Sequence, residues 1–185
     1  MKLLFLLLVS VPIILAAQNT PNSSLHIMRA NEEIILDGKL EEPAWAQADI
    51  AADWFMNYPV DSLPAPFQTE ARLTFNDEFF YVSFVCYDDD TPDLINSLRR
   101  DFDYLLTDHV TIYFGPFNDG LNGFYFSLTP AGVQREGILA GGGSGGESAF
   151  NSVWDSKWYS KVVRYPDRWI VEAAIPWKSF RYKDG

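Results

Sequence analysis

A single cysteine, Cys86, stands in 185 residues. No intramolecular disulfide can form, and stability has to come from packing. The two histidines, His26 and His109, are far apart and have neither a cysteine partner nor HExxH spacing, so zinc catalysis finds no support. The literal G-x-S-x-G at 142–146 lies inside a glycine-rich stretch that a strand rather than a helix follows, so it does not read as a nucleophile elbow. Basic residues are scarce, 14 Lys and Arg against 25 Asp and Glu, for a net charge of -11. That balance repels phosphate backbones and anionic headgroups, so nucleic acid is not an expected partner. Long apolar runs are confined to residues 3–15, which follow Lys2 and end at Ala16 and Ala17. This stretch is shorter than the about 20 residues of a membrane helix and reads as a secretory signal peptide, residues 1–17, cleaved before Gln18. The expected location is therefore the periplasm, the outer membrane surface or the medium, with no lipid anchor, since Gln18 stands where a lipid-bearing cysteine would be.

Removing 17 of 185 residues leaves 168, the length of one domain with a full core. Residues 18–24 are mostly Asn, Ser, Thr and Pro and read as a flexible lead-in, so the domain is expected from residue 25 to residue 185. Aromatic residues make up 16% of the chain, so the core is rich in rings, or some rings face a ligand, or both.

The dominant period is two. In residues 69–76, Ala71, Leu73 and Phe75 alternate with Arg72, Thr74 and Asn76. After a turn at Asn76 and Asp77, the next strand has almost no polar face and is expected to be central. Further strands are predicted at 109–114, 124–129, 133–139, 158–164 and 168–175. Helical periodicity is limited to one or two turns at 41–48, with Pro43 near the start, and another at 177–181. Short strands without covering helices must bury their apolar faces on one another. The expected fold is all-β, a two-sheet antiparallel sandwich of immunoglobulin or jelly-roll type with one or two short helical turns. The stretch AGGGSGGE at 140–147 contains a literal GxGxxG, but a strand rather than a helix follows it, so it reads as a surface loop.

The segment ILDGKLEEPAW at 35–45 resembles the opening motif of family 9 carbohydrate-binding modules, a strand turning into a short helix with a buried Trp. Residues 77–88, DHVTIYF at 108–114 and WIVEAAIPW at 169–177 follow in the family's order. The runs Arg99-Arg100-Asp101 and Trp154-Asp155 are similar to a subgroup found at the N-terminus of larger bacterial envelope proteins, where a membrane-barrel-like region follows. The resemblance implies a β-sandwich that stacks the apolar faces of sugars on aromatic rings and bonds their hydroxyls with polar side chains. At the positions that align with the family's hydrogen-bonding charged or amide side chains stand Thr111, Tyr125 and Ser127, and Leu105 replaces one clamping Trp. The other clamping Trp would come after the Trp177 block, and the family continues into further strands beyond Gly185, so the chain is expected to be a C-terminally truncated piece.

Among the six Trp residues, Trp45, Trp169 and Trp177 sit in apolar surroundings and are expected in the core. Trp54 reads as a stacking platform or a lid, and Trp154 and Trp158 as a ligand-facing pair or as structural packing. Arg100 has a planar fork suited to vicinal hydroxyls, or to an ion pair with Asp101 or Asp103. The candidate carbohydrate-binding set is thus Trp154, Trp158, Arg100, Asp101, Asp108 and Trp54. Asp88, Asp89 and Asp90 are candidate ligands for a structural calcium, although they lack EF-hand spacing. Asp101, Asp103, Asp108 and Asp155 would serve a glycosidase only at a fixed separation that the sequence does not set, and they read as solvated acidic loops. The expected function is saccharide or polysaccharide binding within an exported protein of carbohydrate catabolism, any hydrolase lying elsewhere in it. The alternative is an interaction domain that has lost sugar binding and docks on the downstream membrane-barrel region.

Overall fold

A computed structural model describes residues 24–60, 63–88, 93–143 and 149–180. The expected signal peptide, all but the last residue of the lead-in, Asp89, Asp90 and residues 181–185 lie outside the described residues.

Two sheets form the molecule, as the period of two requires. The larger contains β1 (Met28–Arg29), β2 (Ile50–Ala51), β3 (Thr69–Phe75), β4 (Phe79–Tyr87), β9 (Tyr159–Tyr165) and β10 (Arg168–Pro176), in the order β1-β3-β4-β10-β9 with β2 also on β3. The smaller is β5 (Val110–Phe114), β6 (Gly123–Leu128), β7 (Gln134–Leu139) and β8 (Phe150–Asn151), in sequence order. Every pairing is antiparallel except the two-residue β1 on β3. The helical content among the described residues includes α1 (Pro43–Gln47), with Pro at its first turn, and 3-10 turns at Gly141–Gly143 and Trp177–Phe180. Strands β1, β2 and β8 escaped the sequence reading because two residues cannot display a period.

Side chains alternate about the sheets as the pattern dictates. Phe80, Val82, Cys86, Trp169, Val171 and Ile175 point inward and meet Phe124, Phe126 and Leu128 from the smaller sheet. The absence of a polar face on β4 also has its explanation: β4 lies between β3 and β10, and its outer side is covered by the N-terminal segment. There Tyr81 and Ala174 pack against Ala30, Ile34, Ala44 and Trp45.

One buried carboxylate binds that cover to the sheet. Glu172 of β10 accepts hydrogen bonds from the backbone N–H of Asp37 (3.0 Å), the N–H of Gly38 (2.6 Å) and the indole Nε1 of Trp45 (3.2 Å). Gly38 adopts φ +85°, and a Cβ there would run into Val163, so only glycine fits this turn. Two of the sequence blocks that carry the family resemblance, 35–45 and 169–177, are therefore physically one unit.

Candidate saccharide-binding face

The outward positions of β5, β6 and β7 fall into two rows by register. Thr111, Ser127 and Arg135 form one, and Tyr113, Tyr125 and Gly137 the other. Gly137 is small for a reason: a Cβ would collide with the carbonyl oxygen of Asn151 and the hydroxyl of Tyr125. Thr111, Tyr125 and Ser127 thus come together on one outer face, and the Thr111 and Ser127 hydroxyls are 2.7 Å apart.

The segment 99–109 runs over part of this face and seals it. Tyr104 lies against Phe150, with ring centroids 5.6 Å apart, and Phe150 in turn against Tyr125 at 5.6 Å. The Arg135 guanidinium stands 4.7 Å from the Tyr104 ring centroid and 5.7 Å from that of Tyr125, and it donates to the Phe102 carbonyl at 2.8 Å. His109 is held by its Nδ1 against the Thr107 carbonyl at 2.8 Å. Free space among Tyr104, His109, Thr111, Tyr125, Arg135 and Phe150 is ≈ 10 Å³, about the room of one water molecule. A pyranose cannot enter between these rings as they stand. The open part is the rim, where Tyr113 is 56% and Leu105 65% exposed. The buried Tyr125 hydroxyl and Thr107 Oγ1 have no hydrogen-bond partner among the described residues, two polar atoms left for a ligand or solvent to satisfy.

The residues singled out from sequence scatter into three places. Trp158 is a correction: it is 4% exposed, its ring packs edge-to-face on Phe126 at 5.3 Å, and its Nε1 donates to buried Glu136 at 3.1 Å. It stabilises the core and offers no ring face to a ligand. Trp154 is partly buried against Phe124 (5.0 Å) and Phe126 (6.0 Å), so it too is taken up in packing. Arg100 caps this region: it is ion-paired with Glu136 and with Asp155 (2.9 Å), and it bonds the Gln134 side chain at 3.2 Å. Its pairing is with Glu136 and Asp155 rather than with Asp101 or Asp103, because β7 carries Glu136 inward beneath it. Burial raises the Glu136 carboxyl, against the bonds from Trp158 and Arg100 that lower it. Asp101 itself is exposed, with φ +59° and its N–H on the Gln134 carbonyl at 3.1 Å.

Asp108 and Trp54 lie apart from that group. Asp108 accepts from the Leu94 N–H at 2.6 Å and lines a cleft of ≈ 230 Å³ with Asp88, Asp93 and His109. Trp54 is partly exposed and donates its Nε1 to the Thr69 carbonyl at 2.7 Å, beside that cleft. Asp88 is ion-paired with Arg164 at 2.7 Å, and the same guanidinium holds Asp93 at 2.5 Å. No group of three His, Cys, Asp or Glu side chains is arranged to hold a metal among the described residues. The sequence reading missed Tyr104, Tyr113, Arg135 and Phe150. The alternation of β5 and β7 could have placed Tyr113 and Arg135 outward, whereas nothing in the sequence brings the loop residue Tyr104 onto Arg135.

No family model and no curated protein matches the sequence. Solved structures do match. A family 9 carbohydrate-binding module of Caldicellulosiruptor kristjanssonii, in complex with cellotriose and in complex with glucose, superposes with a TM-score of 0.55 in each case. Identity is 15%, and the match covers 81% of this chain and 66% and 68% of those two chains. The chain therefore has the fold of the family 9 carbohydrate-binding modules.

Proposed function

We propose that this domain is a non-catalytic saccharide-binding module of an exported protein, with its ligand on the outer face of β5, β6 and β7. What supports the reading is the gathering on that face of the hydroxyls of Thr111, Tyr125 and Ser127 around exposed Tyr113 and the Arg135 guanidinium; that these three replace the charged or amide side chains of the family speaks for the second reading below. Tyr113 provides a ring on which the C–H face of a sugar gains from burial, and Arg135, Thr111 and His109 provide donors and acceptors for its hydroxyls. Deeper entry requires the Tyr104 side chain to move off Arg135. Binding of this kind would serve carbohydrate catabolism by a larger hydrolase, holding it on polysaccharide.

The test is isothermal titration against a panel of plant, algal and bacterial glycans, run with and without calcium because Asp88, Asp89 and Asp90 remain candidates for a structural ion. Saturable binding to one glycan class, weakened about tenfold (~1.4 kcal/mol) in Tyr113→Ala, is the expected result. Silence across the panel from a folded sample favours a second reading, in which the same face docks on a protein partner such as a downstream membrane-barrel region. That reading draws on the sealed interior of the site and on the exposed Leu105, Leu106 and Tyr113 around it.

A further inference from the structure

Trp177 was expected in the core and is not there: it is 37% exposed. It is nevertheless held rigidly. Its Nε1 donates to the Asn76 carbonyl at 2.7 Å, its backbone N–H to the Glu78 carbonyl at 3.0 Å, and its ring meets Phe75, Phe80 and Phe180 at 6.3, 5.6 and 6.1 Å. Its exposed side borders a cleft of ≈ 300 Å³ on the outer face of the larger sheet, where the N-terminal cover has ended. Across that cleft stands Tyr159 of β9, 44% exposed and set edge-on against Phe79 at 5.9 Å. Glu78 and Lys178 also line the cleft, and the side chain of neither makes a hydrogen bond or ion pair among the described residues. Asp77, also in the lining, is ion-paired with Arg29, and the Lys157 ammonium stands 5.5 Å from the Tyr159 ring centroid, over one face of that ring.

We infer that this cleft is a second saccharide-binding site, for a neutral pyranose or a short run of them, independent of whether the face of β5, β6 and β7 binds sugar. Its size is at the lower end of small-molecule sites, roughly 300–1,000 Å³. Two aromatic rings fixed by their own contacts lose little freedom on stacking, which is what an apolar sugar face requires. A free carboxylate accepts from hydroxyls and a free ammonium donates to them. Glu78 and Lys178 in the lining offset each other, and the nearby Lys157 ammonium is engaged on one face of the Tyr159 ring, so an uncharged polyhydroxylated ligand on the cleft side of the ring is the chemistry that fits. The two sites face away from each other on opposite outer surfaces of the sandwich, an arrangement that lets one domain contact two polysaccharide chains.

The experiment titrates the parent, Tyr113→Ala, Tyr159→Ala, these two combined, and Trp177→Phe with cellotriose, xylotriose and mannotriose, and follows tryptophan fluorescence alongside heat. Circular dichroism checks each fold, and Trp177→Phe retains a ring for packing. The expected result is a component of saturable binding that remains in Tyr113→Ala, whatever that substitution removes at the first site, and that falls at least tenfold when Tyr159→Ala is added to Tyr113→Ala, with the fluorescence change lost in Trp177→Phe. Binding abolished by Tyr113→Ala and untouched by Tyr159→Ala would overturn the second site while leaving the first. No binding to any trisaccharide by the folded parent would also overturn it.

Discussion

Glu172 is wholly buried with three N–H groups aimed at its oxygens. Burial pushes its carboxyl up to about 7 from an ordinary 4.5; the N–H of Gly38 pulls it down, and the charge of Glu42 pushes it up again. Because the folded-state value lies above the unfolded one, the folded protein binds this proton more tightly. The contribution to stability is complete below about pH 4.5 and is lost as pH rises through 7, about 3 kcal/mol over the window. Urea unfolding at a series of pH values should therefore show stability falling from pH 5 to 7.5, and the fall should be shallower in Glu172→Gln. Parallel pH profiles for the two proteins would mean that Glu172 is ionised throughout. The same residue shows what the chain pattern hides. Alternation places Glu172 on the outer face of β10, where a carboxylate looks solvated, and only the packing of residues 30–48 over that face buries it.

Strand β6 is buried along its whole length, and its outer side is filled by Tyr125 because Gly137 on the neighbouring strand leaves room. Gly137→Ala is expected to push Tyr125 and β8 outward and to cost about 1–3 kcal/mol, read as a lowered melting temperature. Gly115→Ala is the control, since a Cβ there meets nothing within 4 Å, and it should leave the melting temperature within a degree or two. The longer strands were legible because each shows three or more alternations: the prediction at 109–114 corresponds to Val110–Phe114, and that at 168–175 to Arg168–Pro176. The reading of Trp158 as ligand-facing failed at the same scale. It precedes β9 at a position where alternation with Ser160 and Val162 points inward, and the apparent loop of Asn151, Asp155 and Lys157 concealed that phase.

At the scale of the molecule, the single thiol reports on the sandwich as a whole. Cys86 lies between the sheets, and burial pushes it up to about 12, offset in part by a hydrogen bond with Thr69. A thiol of that kind is unreactive until the core opens. An aromatic disulfide reagent at pH 8 is expected to label it at the rate of unfolding, accelerating with urea. Labelling within seconds in native buffer would instead place an early opening at the end of β4. The absence of other cysteines makes the measurement unambiguous.

Charge, the single cysteine and the period-two pattern were enough to determine an all-β sandwich held together by packing, because burial of alternating faces is a local requirement that each strand records in its own residues. The blocks at 35–45 and 169–177 were likewise enough to point to the fold. Tertiary structure alone decided the site. Whether a Trp is core or platform depends on what lies across from it, and sequence neighbours do not say. Trp158 found Phe126 and Glu136, and Trp177 found an open cleft. The closing of the outer face by Tyr104 over Arg135, 31 residues away in the chain, is a contact between a loop and a strand that no periodicity encodes.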